Sequence, residues 1–272
     1  MQALDSLYKD CSACTNQLLT ACLDRLLDEE RSLTGLARLS DWMNRPLIQE
    51  ANCTVNFDHL VRGMTTQHEE RVDQYVDKEI HTYMFKGNKS VGTDLHAIDI
   101  QRSRDHGIPF YIDVRRFFNL SVPTNFKDLT KCCGISPENV EKLKNLYENV
   151  NNIELIVGGG LEPLVHGTLS AETYRCMLTE QFKDSRRGDR YFYQNCEDNR
   201  FRPEQLQSIQ DASIAKVFCD NSEIEYMQPR AFEGVCNDNP LTACHELKGV
   251  DLTLWRDGTD KSSKHSCHRS CH

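Results

Sequence analysis

The stretch Asp94-Leu95-His96-Ala97-Ile98-Asp99-Ile100-Gln101-Arg102-Ser103-Arg104-Asp105-His106-Gly107-Ile108-Pro109-Phe110-Tyr111 mixes charges and histidines with apolar residues. Charges drawn into an apolar setting must pair, so the stretch predicts an ion-pair network. Asp105, beside Arg102 and Arg104, could orient His106 as an acid-base group or a ligand. A network that only satisfies its own charges is the commoner outcome for such a cluster. Gly158-Gly159-Gly160 lacks both the lysine and Ser/Thr of a phosphate loop and the spacing of a dinucleotide fingerprint, and reads as a tight turn. His265, Cys267, His268, Cys271 and His272 offer soft ligands in a short span, but structural metal sites close with ligands set in folded turns, and this segment reads as a loose polar tail. No Gly-x-Ser-x-Gly elbow or protease-type cysteine context is present, so hydrolase chemistry of those kinds is not expected. On the residues alone, no catalytic residue and no metal site is assigned.

The elements that must position these residues read as mostly helical. Leu19, Leu23, Leu26 and Leu27 recur at helical spacing within residues 16–30, followed by Asp28, Glu29 and Glu30. Between Glu69 and Phe85, Val72, Tyr75, Val76, Ile80, Tyr83 and Met84 repeat at three and four, predicting a second amphipathic helix. Ser136-Pro137-Glu138 supplies a capping hydroxyl, a first-turn proline and an early acid ahead of Val140, Leu143, Leu146 and Tyr147. Further helix signals run from Ser170 through Tyr174, Leu178 and Phe182, and from Pro203 through Leu206, Ile209, Ile214 and Val217. Only Ile153–Val157 hints at a short strand. No internal repeat and no glycine- or proline-rich linker divides the chain, which reads as one mainly α unit over 1–258 with a polar Cys/His tail at 259–272.

Composition narrows the partners. The 272 residues carry 32 Lys plus Arg against 41 Asp plus Glu, a formal charge of −9, which argues against a polyanion binder such as a nucleic-acid protein. Hydrophobic residues make up 39%, and no apolar run approaches the roughly 18 residues of a membrane span. Thirteen cysteines predict disulfides and an extracellular or secretory setting, with which the triplets Asn52-Cys53-Thr54, Asn88-Lys89-Ser90 and Asn119-Leu120-Ser121 agree as glycosylation acceptors. Met1 to Cys11 is polar and shows no signal-peptide pattern, so a preceding segment is expected.

Gln101-Arg102-Ser103-Arg104-Asp105-His106-Gly107-Ile108-Pro109, with Tyr111 and Arg115-Arg116-Phe117, resembles the animal haem peroxidases. Leu39-Ser40-Asp41 with Asn44-Arg45-Pro46, Phe57-Asp58 to Arg62-Gly63-Met64, Ile153 to Gly159 with Glu162-Pro163, and Gln181-Phe182 to Gly188-Asp189-Arg190-Tyr191-Phe192 are similar to that family in its order. So are Val217-Phe218-Cys219-Asp220-Asn221, Gln228-Pro229-Arg230-Ala231-Phe232 and Leu252-Thr253-Leu254-Trp255. The resemblance covers about residues 20–256, corresponding to the C-terminal half of the family's catalytic domain, and implies a partial haem-peroxidase-like helical domain.

The resemblance implies haem, peroxide and a small-molecule donor, but places the distal catalytic residues upstream of this chain, and no calcium site is read. By offset the proximal iron-ligating histidine should fall near Gln17, and no histidine occurs before His59. Where the family places an asparagine that accepts a hydrogen bond from that imidazole, this chain has Ile112, which cannot accept it. Arg115 fits the position of an arginine that binds a haem propionate, while His106 is structural. Cys219 and Cys244 match two family cysteines that pair; the partner of a second pair matches Cys176, with Phe118 in the place of its mate and Cys132 or Cys133 as substitutes. The expected function is a divergent peroxidase-family protein not active unaided. The alternatives are a fragment of an active secreted peroxidase, and a non-enzymatic adhesion or binding module with a protein partner. Elements that in the family pack on upstream helices are expected to expose apolar faces here.

Overall fold

The structure, a computed structural model, describes residues 23–38, 40, 53–67, 73–195 and 200–256. The expected tail at 259–272, the Gln17 region and Asn52 lie outside these residues. The chain is mainly helical, as its periodicity predicts. A hairpin of β1 (Leu23–Leu27) and β2 (Leu33–Arg38) lies against α1 (Cys53–Met64). A short α2 (Lys78–His81) and α3 (Leu95–Asp105) lead into α4 (Tyr111–Phe117), α5 (Asp128–Cys133), α6 (Pro137–Leu146), α7 (Leu155–Leu161) and the long α8 (Glu172–Gly188). Helices α9 (Pro203–Asp211) and α10 (Ile214–Asp220) precede a two-residue pair, β3 (Tyr226–Met227) with β4 (Thr242–Ala243).

Two apolar clusters organise these elements. The larger gathers Tyr111, Ile112, Val114, Leu129, Ile135, Val140, Leu143 and Ile153 from α4 to α7. The smaller joins Val61 of α1 to Ala215 of α10 and to Ile224, Met227, Ala231 and Leu247, and the Cys219–Cys244 disulfide borders it. That bond closes a 25-residue separation, restricting the unfolded chain more than the folded one. Gln228 is fully buried, donating from Nε2 to the carbonyls of Thr65 (2.7 Å) and Ala231 (2.9 Å) and accepting from Arg31 at the hairpin tip (2.8 Å).

Local rules account for the helices that the sequence predicts well. Ser136 Oγ accepts from Asn139 N–H at 3.3 Å, Pro137 opens α6 and Val140 and Leu143 face the core. Gln205 reaches back to accept from Arg202 N–H at 2.9 Å, starting α9 behind Pro203.

Other expectations are corrected. The predicted helix over 16–30 is, in its described part, strand β1, because Leu23–Leu27 finds an antiparallel partner in β2 across a tight turn with Arg31 in the left-handed region (φ 59). The helix predicted from Glu69 to Phe85 shrinks, among the described residues, to Lys78–His81: Asp73 accepts from Tyr75 N–H, Asp77 starts a new helix by accepting from Glu79 N–H, and Phe85 turns left-handed (φ 54). The single segment after Pro203 breaks into α9 and α10 at Ala212, with Ser213 Oγ capping α10 through Lys216 N–H. The Ile153–Val157 strand is a single antiparallel bridge of Glu154 to Phe110, after which the chain enters α7. Gly158, Gly159 and Gly160 are therefore helical and not a tight turn. Cys132 and Cys133 bond to each other, so neither substitutes as a partner of Cys176, which is a free thiol.

Candidate functional site

Helix α4 buries Tyr111, Ile112, Val114 and Arg115 and leaves Asp113 and Arg116 outside, where they pair with each other at 2.6 Å. Its path is set by Tyr111 N–H donating to the Ile153 carbonyl at 3.0 Å, which draws α4 against the start of α7. Gly158 and Gly159 allow the approach. A Cβ on Gly158 would stand 2.3 Å from the Tyr111 ring, and one on Gly159 2.7 Å from the Tyr174 ring of α8. Two helices thus present aromatic rings to one glycine surface. The Tyr174 hydroxyl donates to the Leu155 and Ile156 carbonyls of α7, and the Tyr111 hydroxyl points into the centre of the molecule.

That centre is a buried knot around Arg115, whose side chain is 0% exposed against 1% for its partner Glu162. Arg115 Nη1 donates to Glu162 Oε1 at 2.5 Å and to Thr173 Oγ1 at 3.1 Å. Nη2 donates to the Cys132 carbonyl at 3.3 Å and Glu172 Oε2 at 3.1 Å, and Nε donates to the Ser121 carbonyl at 2.7 Å. All five guanidinium N–H groups are engaged by the protein itself. Glu162 accepts in addition from Tyr111 OH (2.6 Å), Thr173 OH (2.6 Å) and Thr173 N–H (2.9 Å). Burial, reinforced by the Glu162 carboxylate, pushes the Tyr111 phenol far above its usual range and Tyr174 up to about 12. Burial works against the Arg115 charge, and the facing Tyr111 and Glu162 oxygens more than restore it. The knot is thus one guanidinium facing the carboxyl groups of Glu162 and Glu172, with the Tyr111 hydroxyl closing it from α4.

This bears on the haem role that the resemblance implies for Arg115. A propionate needs two free N–H groups on a guanidinium that carries net positive charge. Here the donors are filled, Glu162 and Glu172 together outweigh the single positive charge, and the solvent-facing edge is closed by Glu172, itself 45% exposed. Ile112, one position after Tyr111, is 1% exposed within the larger apolar cluster. As placed here, Arg115 therefore does not offer a haem propionate its free donors, and Ile112 offers no hydrogen-bond acceptor. Among them no group of three or more His, Cys, Asp or Glu is placed to hold a metal ion.

The Asp94–Tyr111 stretch is not the buried network that its charges predict. Helix α3 buries none of its residues, and His106 is its exposed C-cap. Asp105 accepts from Gln101 at 2.9 Å, so the Asp105–His106 arrangement does not assemble. Arg104 alone reaches a buried acid, with Nε and Nη2 at 2.8 and 2.7 Å from Glu154 Oε1, while Tyr147 OH donates to Oε2. Beside this triad lies a cleft of about 250 Å³ lined by His96, Ile100, Tyr147, Ile156, Val157 and Leu161. Sequence reading missed Glu162 and Thr173 as the centre of the knot, and His96 as a cleft residue. The Glu162-Pro163 motif was the available signal for the first.

Burial alone would raise the Glu154 pKa, but the Tyr147 and Arg104 hydrogen bonds hold it below the ordinary 4.5. A carboxyl with a lowered folded pKa stabilises the fold above its unfolded value and loses that contribution as pH falls through the folded one. Glu79, held down by Ser40 and Arg38 against its burial, has the same sign; Asp58, raised chiefly by burial, has the opposite. The stability difference between wild type and Glu154→Gln, read from denaturant midpoints, is therefore expected to be constant near neutrality and to shrink below pH 4.5. A difference that does not change with pH would remove Glu154 from the acid response.

The sequence and the fold have relatives among known proteins. The animal haem peroxidase family profile matches residues 14–232. A peroxidase of Drosophila melanogaster is 43% identical over 234 residues, covering 85% of this chain and 33% of its own length. A human peroxidasin homologue is 40% identical over 185 residues, 68% of this chain and 12% of its own. Among solved structures, peroxidase A from Dictyostelium discoideum superposes with a TM-score of 0.65 at 26% identity, covering 80% of this chain and 40% of that one. This chain thus spans about a third of the fly relative it matches.

Proposed function

The chain belongs to the animal haem peroxidase family, and from that premise we propose that it is a peroxidase-family scaffold that does not reduce peroxide unaided. The observation that carries this reading is the closed Arg115 knot. The position that the resemblance gives to propionate binding is spent on holding α4, α5 and α8 together, with Ile112 beside it in the apolar core. Iron chemistry by this family depends on an axial ligand and its hydrogen-bonded partner, and Gln17 and Ile112 supply neither. The Cys219–Cys244 bond and the disulfide state of Cys236 support folding in an oxidising, secretory-type compartment.

A second reading, a binding module on this scaffold, is favoured by a different observation. Phe117 and Leu146 are each 77% exposed and Phe182 is 70% exposed, and α3 buries no residue. Exposed apolar side chains of this size mark an associating surface where they join into one patch. Titration of the purified chain with hemin tests the first reading. We expect no histidine-type Soret band and no peroxide-dependent donor oxidation, with light scattering showing an associated rather than monomeric chain. A five-coordinate histidine spectrum with turnover would overturn the scaffold reading, and a monodisperse monomer would count against the binding module.

A further inference from the structure

We propose that Asn119 and Asn88 carry N-linked glycans, each with its first sugar lying over the exposed phenylalanine that precedes it in the same turn. Both head acceptor triplets, Asn119-Leu120-Ser121 and Asn88-Lys89-Ser90, without proline in the middle. Asn119 ends α4. It adopts a left-handed φ of 55, donates its N–H to the Arg116 carbonyl at 3.1 Å, and is followed by Leu120 N–H reaching back to the Arg115 carbonyl at 2.9 Å. This pair of bonds is the Schellman helix stop, in which asparagine is one of the few residues to replace glycine. The backbone is pinned while the Asn119 side chain is exposed and makes no hydrogen bond among the described residues.

Phe117, two residues earlier, is 77% exposed, meeting Phe118 edge-on while Phe118 packs on the core. Asn88 sits at an exposed turn whose base is closed by Gly92 N–H to Thr82 and Thr93 N–H to Met84, both at 2.8 Å. Phe85, three residues before it, is 59% exposed and holds φ 54, a conformation that bulky residues rarely adopt. In each turn an exposed ring lies two or three residues before a potential attachment point. The face of an aromatic ring carries partial negative charge and the axial C–H groups of a pyranose partial positive charge, so stacking removes apolar area from water on both sides.

The transfer balances with a polyprenyl-diphosphate-linked oligosaccharide as donor. Asn Nδ2 forms a bond to the anomeric carbon, the bond from that carbon to the diphosphate oxygen breaks, the diphosphate leaves with the electron pair, and the amide proton passes to solvent. Nothing is oxidised or reduced. The inference rests on the secretory-compartment reading above, and its test separates the two. The full chain is routed through the secretory pathway of cultured insect cells by an added leader, and its peptides are read by mass spectrometry with and without peptide N-glycosidase. We expect Cys219–Cys244 formed and both asparagines occupied, with Ser121→Ala and Ser90→Ala each losing one glycan while leaving the turn asparagine in place. Glycosidase treatment is expected to lower the Tm of the wild type more than that of Phe117→Ala. Asn119 bare in chains with the disulfide formed overturns the inference. Chains lacking the disulfide overturn the compartment reading and the inference with it, and an equal Tm loss in Phe117→Ala overturns the sugar–ring contact.

Discussion

Arg115→Leu is expected to destabilise the chain by about 3–5 kcal/mol, the usual consequence of leaving one member of a buried ion pair without its partner. Glu162, 1% exposed at its side chain, would keep two hydroxyl donors and one N–H but lose its counter-charge, and the carbonyls of Ser121 and Cys132 would lose their donor. A domain holds only about 5–15 kcal/mol in total, so this single variant is expected to be largely unfolded or insoluble. The double variant Arg115→Met with Glu162→Met keeps the measurement informative. Removing both buried charges leaves unpaired only Glu172, which is 45% exposed and open to solvation, and the denaturant midpoint is expected to recover most of the loss. A single-variant loss below about 1 kcal/mol, the range of an exposed pair, would show that the guanidinium does not hold the centre together.

The three consecutive glycines of α7 are expected to respond to alanine in a graded and finally reversed order. Gly158→Ala places a methyl 2.3 Å from Tyr111 Cγ, and the ring is fully buried with its hydroxyl committed to Glu162, so it cannot swing aside. Overpacking of this kind costs about 1–3 kcal/mol, and a further 1.5–3 kcal/mol goes if the Tyr111–Glu162 bond is lost. Gly159→Ala meets the outer edge of Tyr174 at 2.7 Å, where that ring is only partly buried, and the cost is expected to be smaller. A Cβ on Gly160 meets nothing within 4 Å, so Gly160→Ala is expected to stabilise by about 0.5–1 kcal/mol through helix propensity alone. Thermal or denaturant unfolding of the three variants checks the order. Equal effects at all three positions would mean that α7 does not pack through its glycines.

The knot and the glycine surface explain why so little of this site was visible residue by residue. Arg115 was recognisable as a place in a motif. Its contacts are made by Glu162, 47 positions later, and Thr173, 58 positions later, and no local pattern encodes either one. The glycine triplet read as a turn because glycine favours turns in isolation, whereas two rings arriving from α4 and α8 require bare backbone inside a helix. The Asp105–His106 reading failed for the complementary reason: charge density near apolar residues looked like a buried cluster, but α3 lies on the surface, where Gln101 and solvent satisfy those groups.

What the sequence determined by itself was the helical class, the family motifs and the helix starts at Ser136-Pro137 and Pro203, since caps, fixed proline φ and 3.6-residue periodicity act over a single turn. It also carried, through its resemblance, the Cys219–Cys244 pairing. Tertiary structure alone decided that Leu23–Leu27 is a strand, that the periodic Glu69–Phe85 segment keeps only one helical turn among its described residues, that Cys132 bonds Cys133, and that Arg115 faces protein carboxylates. Each of those outcomes depends on which distant group arrives to pair with a local one, and propensities of a few tenths of a kcal/mol per residue give way to a buried ion pair or a strand partner worth several times more.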